Sequence, residues 1–252
     1  MQDFLSLAVR LADAASALIR EVRAGGFAVA AKEDETPVTV ADTRAEALIA
    51  AGLRQAMPDI PVIAEEEVAA GRFSAPAPRY WLVDPLDGTR EFAAGRDEFA
   101  VNIALIVNGA PVLGAVASPA LHELHFGIAG QGAWRRRGGG AEERITARHA
   151  PPEGLTVMAS RHYADDPALA ALLARHKVAA LTNIGSALKF LRLAEGAADF
   201  YPRLGRTMEW DTAAPQAVLE AAGGCVLTAD GTALRYGKPA WENPDFCAWG
   251  LR

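Results

Sequence analysis

The segment RYWLVDPLDGTREF, residues 79–92, runs from an aromatic and aliphatic stretch directly into two aspartates. The first part is typical of a buried strand, and Asp84 and Asp87 follow it with Pro85 between them. Because the aspartates are three residues apart, their carboxylates converge only where the backbone bends, and proline fixes φ at such a bend. We therefore expect a fold in which a buried strand ends in an acidic turn.

The residues around this turn favour a cation and a phosphate. A bend of this kind also points a backbone carbonyl toward the carboxylates, and oxygen ligands of both types suit Mg²⁺. Gly88 allows the chain to pass close to a ligand, and Thr89 places a hydroxyl at a predicted helix start, where N–H groups favour phosphate. The alternative is that Asp84 and Asp87 only cap a turn, as aspartate commonly does.

Two further acidic groups lie at the ends of predicted elements. Glu65, Glu66 and Glu67 follow a short predicted strand at residues 61–64. Asp211 lies near the start of a predicted helix, where an isolated aspartate would be an N-cap. Together with the turn after the first strand, these carboxylates indicate an acidic site with several contributors.

The first half of the chain predicts helices followed by antiparallel sheet. Apolar residues at three- and four-residue steps predict an amphipathic helix that ends near Gly25, and a second helix is predicted at about 41–57. Two β-rich runs that meet at Asn108 and Gly109 predict a hairpin. The basic run and glycines at residues 135–144 are interpreted as a solvated turn.

The second half alternates short predicted strands with helices, which is typical of a mixed α/β arrangement. The predicted strands lie at residues 155–159, 198–201 and 224–227, and the predicted helices at about 167–176, 186–195 and 212–222. We expect two packed subdomains of one protein, residues 1–150 and 151–252.

Composition excludes several classes of protein. The chain has 252 residues and a net charge of −6 without a long basic face, so no surface for a nucleic acid polymer is predicted. Its two cysteines, Cys225 and Cys247, have no metal-site spacing and are predicted to be buried thiols. Charged residues interrupt the apolar N-terminal segment, and no apolar run is long enough for membrane insertion. A cytoplasmic protein is therefore expected.

Several segments together resemble the lithium-sensitive, magnesium-dependent inositol monophosphatase superfamily, whose hallmarks are motifs of the form D-P-[IL]-D-G-T and W-D. Here they read VDPLDGT and EWD, with IAEEE upstream. Within the superfamily the chain is most similar to 3′(2′),5′-bisphosphate nucleotidases of the CysQ type. The segments that carry this similarity are PVTVAD (37–42), PVIAEE (61–66), GSALKF (185–190), AEGAADFYPRLG (194–205) and EWDTAAPQAVLEAAGG (209–224). The resemblance implies a layered αβαβα sandwich of the inositol monophosphatase and fructose bisphosphatase type.

The resemblance also implies a metal centre and its residues. One Mg²⁺ would be held by Glu65, Asp84 and the carbonyl of Leu86, and a second by Asp84, Asp87 and Asp211. The family pattern favours Glu65 over Glu66, since adjacent strand residues point to opposite faces and chemistry alone leaves both open.

Catalysis in this scheme uses a water molecule and no phosphoenzyme. Thr89, hydrogen-bonded to Asp42, would orient that water. The pattern also leaves room for a third Mg²⁺ near Asp42 and Glu65.

The substrate-binding residues follow from the same resemblance. A G-x-x-x-K element would place Gly185 and Lys189 near the nucleotide, with Lys189 reaching a phosphate; the alternative is a surface lysine. Ser160 and His162 are candidates although the histidine spacing of relatives is not reproduced. Residues of the metal centre that would also contact the substrate are Asp87, Gly88, Thr89 and Asp211.

The expected reaction is hydrolysis of the 3′-phosphate of adenosine 3′,5′-bisphosphate, a small phosphorylated substrate. The alternatives are an inositol or other sugar monophosphatase on the same scaffold, and a non-catalytic phosphate or nucleotide sensor. A homodimer is common among relatives, but the sequence does not determine the oligomeric state.

Overall fold

The computed structural model describes residues 1–31, 37–73, 75, 77–161 and 166–252. Within these ranges the α-helices are α1 (Gln2–Gly25), α2 (Val40–Ala56), α3 (Glu65–Ala69), α4 (Thr89–Ala93), α5 (Pro167–Leu173), α6 (Leu188–Ala194) and α7 (Glu209–Ala221). The strands that precede residue 150 are β1 (Val29–Ala31), β2 (Pro37–Thr39), β3 (Val62–Ala64), β4 (Arg79–Asp87), β5 (Ala100–Val107), β6 (Ala110–Ser118), β7 (Glu123–Ile128), β8 (Gly132–Arg137) and β9 (Glu142–Ile145). Those that follow it are β10 (Leu155–Ser160), β11 (Val178–Ile184), β12 (Phe200–Arg203), β13 (Cys225–Thr228) and β14 (Phe246–Trp249).

The strands form two main sheets. The larger has the order β3-β4-β5-β6-β7-β8-β9, in which β3 is parallel to β4 and the other neighbours are antiparallel. The smaller has the order β11-β10-β12-β14-β13 and mixes parallel with antiparallel pairs. A two-stranded hairpin of β1 and β2 precedes α2. The larger sheet uses residues 62–145 and the smaller uses 155–249, while the division into subdomains near residue 150 stays a prediction.

Helices and sheets alternate in five layers. Helices α1 and α2 cover one face of the larger sheet, and α7 packs against its other face beside α6. The core around α6 and α7 continues into the smaller sheet through residues such as Tyr201, Val226 and Phe246. Helix α5 packs on the outer face of that sheet through Leu172 and Leu173. The predicted αβαβα sandwich is confirmed.

Burial on both faces explains why the central strands read as continuous apolar runs. In β5, Val101, Ile103 and Leu105 face the core beneath α1 and α2. Ala104 and Ile106, which alternate with them, face the core beneath α7. Alternate residues of a strand point to opposite faces, so a strand between two helical layers needs apolar residues at every position.

Local sequence patterns located several elements correctly. Helix α1 ends at Gly25, and β5 and β6 are joined at Asn108 and Gly109, as predicted. Helix α7 starts at Glu209, three residues before the predicted position. Both cysteines are free but half-buried, so the prediction of buried thiols is only partly correct.

The interpretation of residues 135–144 as a solvated turn is wrong. Residues up to Arg137 belong to β8 and residues from Glu142 belong to β9, so the turn is confined to the glycines between them. In the register of this pair Arg135 lies opposite Glu143, and the two form an ion pair at 2.7 Å. Opposite charges that face each other across two strands stabilise the ladder, although each strand alone resembles a charged loop.

The parallel strand β11 was not predicted. Its residues, Val178–Ile184, pair with β10 except for an irregularity at Ala179, but four consecutive positions are exposed. An exposed edge strand lacks the alternation that identifies strands in a sequence, so its structure comes from the partner strand.

In the described part of the chain, no helix combines the length and apolar character needed to cross a membrane.

A buried ionic network joins the larger sheet to the end of α6. Glu195, which follows α6, accepts a hydrogen bond from Arg192 at 2.8 Å and lies 2.5 Å from His125 Nε2 on β7. Glu123 on β7 contacts Arg192 at 2.8 Å. The ligand atoms of Glu123, His125 and Glu195 lie within 4.8 Å of one another, a spacing that a metal could use. Arg192 already pairs with both carboxylates, so we interpret the group as an ionic network.

This network predicts an acid-sensitive contribution to stability. Burial acts to raise the pKa of Glu195, but His125 and Arg192 together lower that pKa to about 2 from 4.5. A carboxylate with a lowered folded-state pKa stabilises the fold above its unfolded-state pKa, and this contribution is lost as pH falls through the folded-state pKa. Glu195→Gln should lower the free energy of unfolding by about 3 kcal/mol at pH 7, as expected when one partner of a buried ion pair is removed.

Urea denaturation of both proteins between pH 7 and pH 2 measures this effect. The difference in unfolding free energy should shrink as pH falls from about 4.5 toward about 2. Glu143→Gln is the matched control. Arg135 pairs with both Glu143 and, at 3.4 Å, Glu195, but Glu143 is 63% exposed. Exposed pairs contribute little, so this variant should differ from wild type by less than about 1 kcal/mol. A constant difference across the pH range would contradict the assignment.

Candidate active site

The two aspartates of the acidic turn are brought together by an irregularity in β4. Asp84 pairs with Asn102 of β5, whereas Asp87 pairs with Ala100, so three steps along β4 match two steps along β5. The bend predicted around Pro85 is therefore present as a bulge. Within it the Leu86 amide donates to Asp84 Oδ1 at 2.9 Å, which fixes the first carboxylate.

The turn continues through Gly88 into α4, which begins with Thr89 as predicted. The Thr89 hydroxyl donates to Asp42 Oδ1 at 2.8 Å and lies 3.0 Å from the Leu86 carbonyl oxygen. Asp42 lies in the first turn of α2, and its Oδ2 accepts hydrogen bonds from the amide and hydroxyl of Thr39 at 2.7 and 2.6 Å. The predicted contact between Thr89 and Asp42 is present, and Asp42 is fixed at both oxygens.

The three glutamates after β3 form the first turn of α3 and not an extension of the strand. The argument that neighbouring strand residues point to opposite faces therefore does not apply to them. Glu65 lines the cavity beside Asp84. The amide of Glu66 donates to Glu46 Oε2 at 2.7 Å.

Sequence reasoning missed one buried acidic residue beside the site, Glu46. It is buried on α2, one helical turn after Asp42, so the two acidic residues share one face of the helix. Burial, followed by the charges of the glutamates on α3, raises the pKa of Glu46 to about 7. The four-residue spacing from Asp42 was the available signal.

Asp211 is not the N-cap of α7, which was the alternative to its predicted place in the acidic site. The helix begins at Glu209 with Met208 as its N-cap, and Asp211 is the third helical residue. Its Oδ2 accepts a hydrogen bond from the Met208 amide at 2.9 Å. This hydrogen bond to the residue before the helix holds the Asp211 carboxylate at the cavity wall.

The predicted residues line two adjoining cavities. The larger, of about 520 Å³, is lined by the predicted metal ligands and the turn that follows them: Glu65, Asp84, Leu86, Asp87, Gly88, Thr89 and Asp211. The smaller, of about 130 Å³, shares Asp87, Gly88 and Asp211 and adds Ser160, Gly185 and Lys189. His162 lies outside the described residues.

Burial, and after it the charges of neighbouring carboxylates, shifts the pKa values of these carboxyl groups upward. Burial, followed by the charges of Glu65, Asp87 and Asp211, raises the pKa of Asp84 well above its usual range. Burial also raises the pKa of Asp87 to about 6, and burial together with Asp87 raises that of Asp211 to about 8. Several ionised carboxylates in one buried site require a cation, and an all-oxygen donor set matches a hard divalent metal. The residues present therefore fit Mg²⁺.

Lys189 is buried, with 4% of its surface exposed, so the alternative of a surface lysine is wrong. Its ammonium donates hydrogen bonds to the carbonyls of Ser186 and Ile184 at 2.6 and 3.3 Å. Burial lowers the pKa of Lys189 to about 8, against the opposing attraction of Asp87.

Comparison with known proteins identifies the family of this chain. A profile described as the inositol monophosphatase family matches residues 1–248. The chain belongs to the inositol monophosphatase family. Proteins of this family are metal-dependent, as expected from the motifs in the sequence.

Relatives in the family include bacterial proteins named 3′(2′),5′-bisphosphate nucleotidase CysQ. The protein of that name from Salmonella typhimurium is 44% identical over 220 residues, which is 86% of this chain and 87% of the relative. The Escherichia coli K12 protein is 42% identical over 219 residues, with the same coverage. The crystal structure of CysQ from Bacteroides thetaiotaomicron superposes with a TM-score of 0.83 at 33% identity and covers 100% of this chain and 98% of that chain.

The turn that carries Asp87 into α4 requires glycine at position 88. Gly88 has a φ of +93°, and a Cβ there would lie 2.9 Å from the Glu98 carbonyl oxygen. Gly95 has a φ of +72° with open space around the same position, so it provides a matched control.

Gly88→Ala should destabilise the protein by about 3 kcal/mol or more, since it adds a steric overlap to a left-handed backbone. Gly95→Ala carries the backbone cost alone, about 1–2 kcal/mol. Thermal and urea unfolding of both variants measure the difference. Equal destabilisation would mean that Glu98 moves aside without cost and that Gly88 is not required for close packing.

Proposed function

We propose that the protein is a Mg²⁺-dependent phosphatase that removes the 3′-phosphate of adenosine 3′,5′-bisphosphate to give AMP and phosphate. The observation that carries the proposal is the set of converging carboxylates at Asp84, Asp87 and Asp211, which line one cavity in an acidic protein. An anionic substrate enters such a cavity only with bound cations. The bisphosphate nucleotidase relatives, 42–44% identical over 86% of the chain, support the choice of substrate.

Two Mg²⁺ ions would be held by the residues that the sequence indicated. Glu65, Asp84 and the carbonyl of Leu86 form one set, and Asp84, Asp87 and Asp211 form the other. Mg²⁺, when bound, lowers the pKa of a water molecule and neutralises charge on the leaving oxygen of the phosphate ester. A third ion near Asp42 and Glu65 is an extension of the same proposal.

Thr89 would orient the attacking water. Its hydroxyl proton is already donated to Asp42, so the lone pairs of Thr89 Oγ1 are left to accept a hydrogen bond from water in the cavity. Thr39 fixes Asp42 through two hydrogen bonds, and Asp42 in turn holds the Thr89 side chain in one rotamer. The water oxygen would form a bond to phosphorus as the bond to the 3′ oxygen breaks. One proton of the water would pass to the 3′ oxygen, which leaves as a hydroxyl group, and the other would stay with the released phosphate. No covalent phosphoenzyme is required.

The smaller cavity would receive one group of the nucleotide that does not react. It opens beside Asp87 and Asp211, and Ser160 and Gly185 line its wall. Binding energy from a remote part of the substrate increases kcat/KM for the whole substrate over a truncated one. This is the physical basis on which the enzyme would prefer a nucleotide bisphosphate to an inositol monophosphate.

Removal of metal should abolish turnover. With adenosine 3′,5′-bisphosphate as substrate, phosphate release should stop in EDTA and return when Mg²⁺ is added in excess. Ca²⁺ should not replace Mg²⁺, because it prefers longer bonds and more ligands. Li⁺ should inhibit, as the family resemblance implies. Full activity in EDTA would exclude the metal-dependent mechanism, and no hydrolysis with any metal would favour the sensor alternative.

Substrate preference decides between the nucleotidase and the sugar monophosphatase. At saturating Mg²⁺, kcat/KM for adenosine 3′,5′-bisphosphate should exceed that for inositol 1-phosphate by at least about a hundredfold, equivalent to roughly 2.7 kcal/mol of transition-state binding. Both substrates should be compared on one enzyme preparation in a phosphate-release assay. If inositol 1-phosphate is the better substrate, the nucleotidase proposal is wrong.

A further inference from the structure

The turn between β11 and α6, residues 184–187, reaches directly into the proposed metal centre. The amide of Ala187 donates a hydrogen bond to Asp87 Oδ2 at 2.5 Å. Asp87 has two carboxylate oxygens, so this bond fixes one of them and leaves Oδ1 to face a cation. The orientation of Asp87 therefore depends on a segment that lies 100 residues further along the chain.

This turn has a backbone shape that the local sequence does not favour. Ser186 has a φ of +51°, in the left-handed region that residues other than glycine seldom adopt. Such a conformation persists only where surrounding contacts hold it. Hydrogen bonds to the carbonyl groups of the turn can hold it in this shape, while the Ala187 amide is directed at Asp87.

Lys189 supplies those contacts from inside the protein. Its Nζ donates to the carbonyl of Ser186 at 2.6 Å and to that of Ile184 at 3.3 Å. The ammonium also lies 5.1 Å from the centre of the buried Tyr201 ring. A buried ammonium with these partners is held in one place, and it connects both sides of the turn.

We propose that Lys189 is a positioning residue for the metal centre: it holds the 184–187 turn so that the Ala187 amide orients Asp87. The inference rests on the proposed function, because it assigns Asp87 as a metal ligand. It differs from the phosphate contact that the sequence suggested for Lys189. A positioning role affects metal binding in the absence of substrate, whereas a phosphate contact affects substrate binding.

Lys189→Met tests the inference, since methionine keeps an unbranched apolar side chain and removes the ammonium. Lys177→Met is the matched control, because Lys177 also donates to a backbone carbonyl, that of Pro152 at 2.9 Å, but is outside the two cavities of the site. Mg²⁺ affinity is measured by calorimetry without substrate, and exchange of the Ala187 amide proton is measured by NMR. Circular dichroism and thermal melting show whether each variant folds.

In Lys189→Met we expect the Kd for Mg²⁺ to rise by about tenfold or more, as is typical when a residue that orients a metal ligand is lost. The Ala187 amide should exchange faster than in wild type, and kcat should fall for both adenosine 3′,5′-bisphosphate and inositol 1-phosphate. Lys177→Met should match wild type in all three measurements. If Lys189→Met does not fold, Lys189→Gln, which retains a shorter donor, should give an intermediate Kd and exchange rate.

Unchanged Mg²⁺ affinity and Ala187 exchange would overturn the proposal. A raised KM for the bisphosphate alone, with normal metal binding, would show instead that Lys189 contacts the substrate phosphate. If the wild-type protein binds no Mg²⁺, the proposed function fails, and Ala187 exchange alone then decides whether Lys189 holds the turn.

Discussion

The structure depends on keeping several carboxylates together in a buried cleft. Asp84, Asp87 and Asp211 repel one another there, and burial adds to the cost of ionising them. A fold that leaves such groups together must fix each one and must provide a cation to balance them. The five layers around α7 and the larger sheet form the rigid frame in which this is achieved.

Backbone amides provide much of that fixation. The amides of Leu86, Ala187 and Met208 donate to Asp84, Asp87 and Asp211 respectively. Each of these bonds favours the ionised carboxylate and occupies one oxygen, which leaves the remaining oxygens for a metal. The three donors come from a bulge, a turn and a helix start, so elements from both sheets contribute to one centre.

Helices α2 and α6 both hold parts of the site in place. Helix α2 carries Asp42 behind Thr89, and the same helix carries Glu46, which holds the start of α3. Helix α6 is tied at its start to the 184–187 turn by Lys189 and at its other end to β7 by Glu195. Because α6 is fixed at both ends, the turn that contacts Asp87 is kept in position.

The sequence by itself determined the elements whose signals are local. The apolar run before Asp84, the three-residue spacing to Asp87 and the amphipathic period of α1 depend on neighbouring residues, and each was read correctly. The layered fold followed from the resemblance of several motifs to the family, and not from local signals. The roles of individual site residues, the division near residue 150 and the cytoplasmic location stay predictions.

Tertiary structure alone decided the partners that are distant in the chain. Arg135 and Glu143 resemble a charged loop until β8 and β9 place them opposite each other. Asp211 resembled a helix cap, and Lys189 was assigned to a phosphate or to the surface. Their positions depend on packing between layers, because a hydrogen bond such as that from Ala187 to Asp87 forms only after segments 100 residues apart have been brought together.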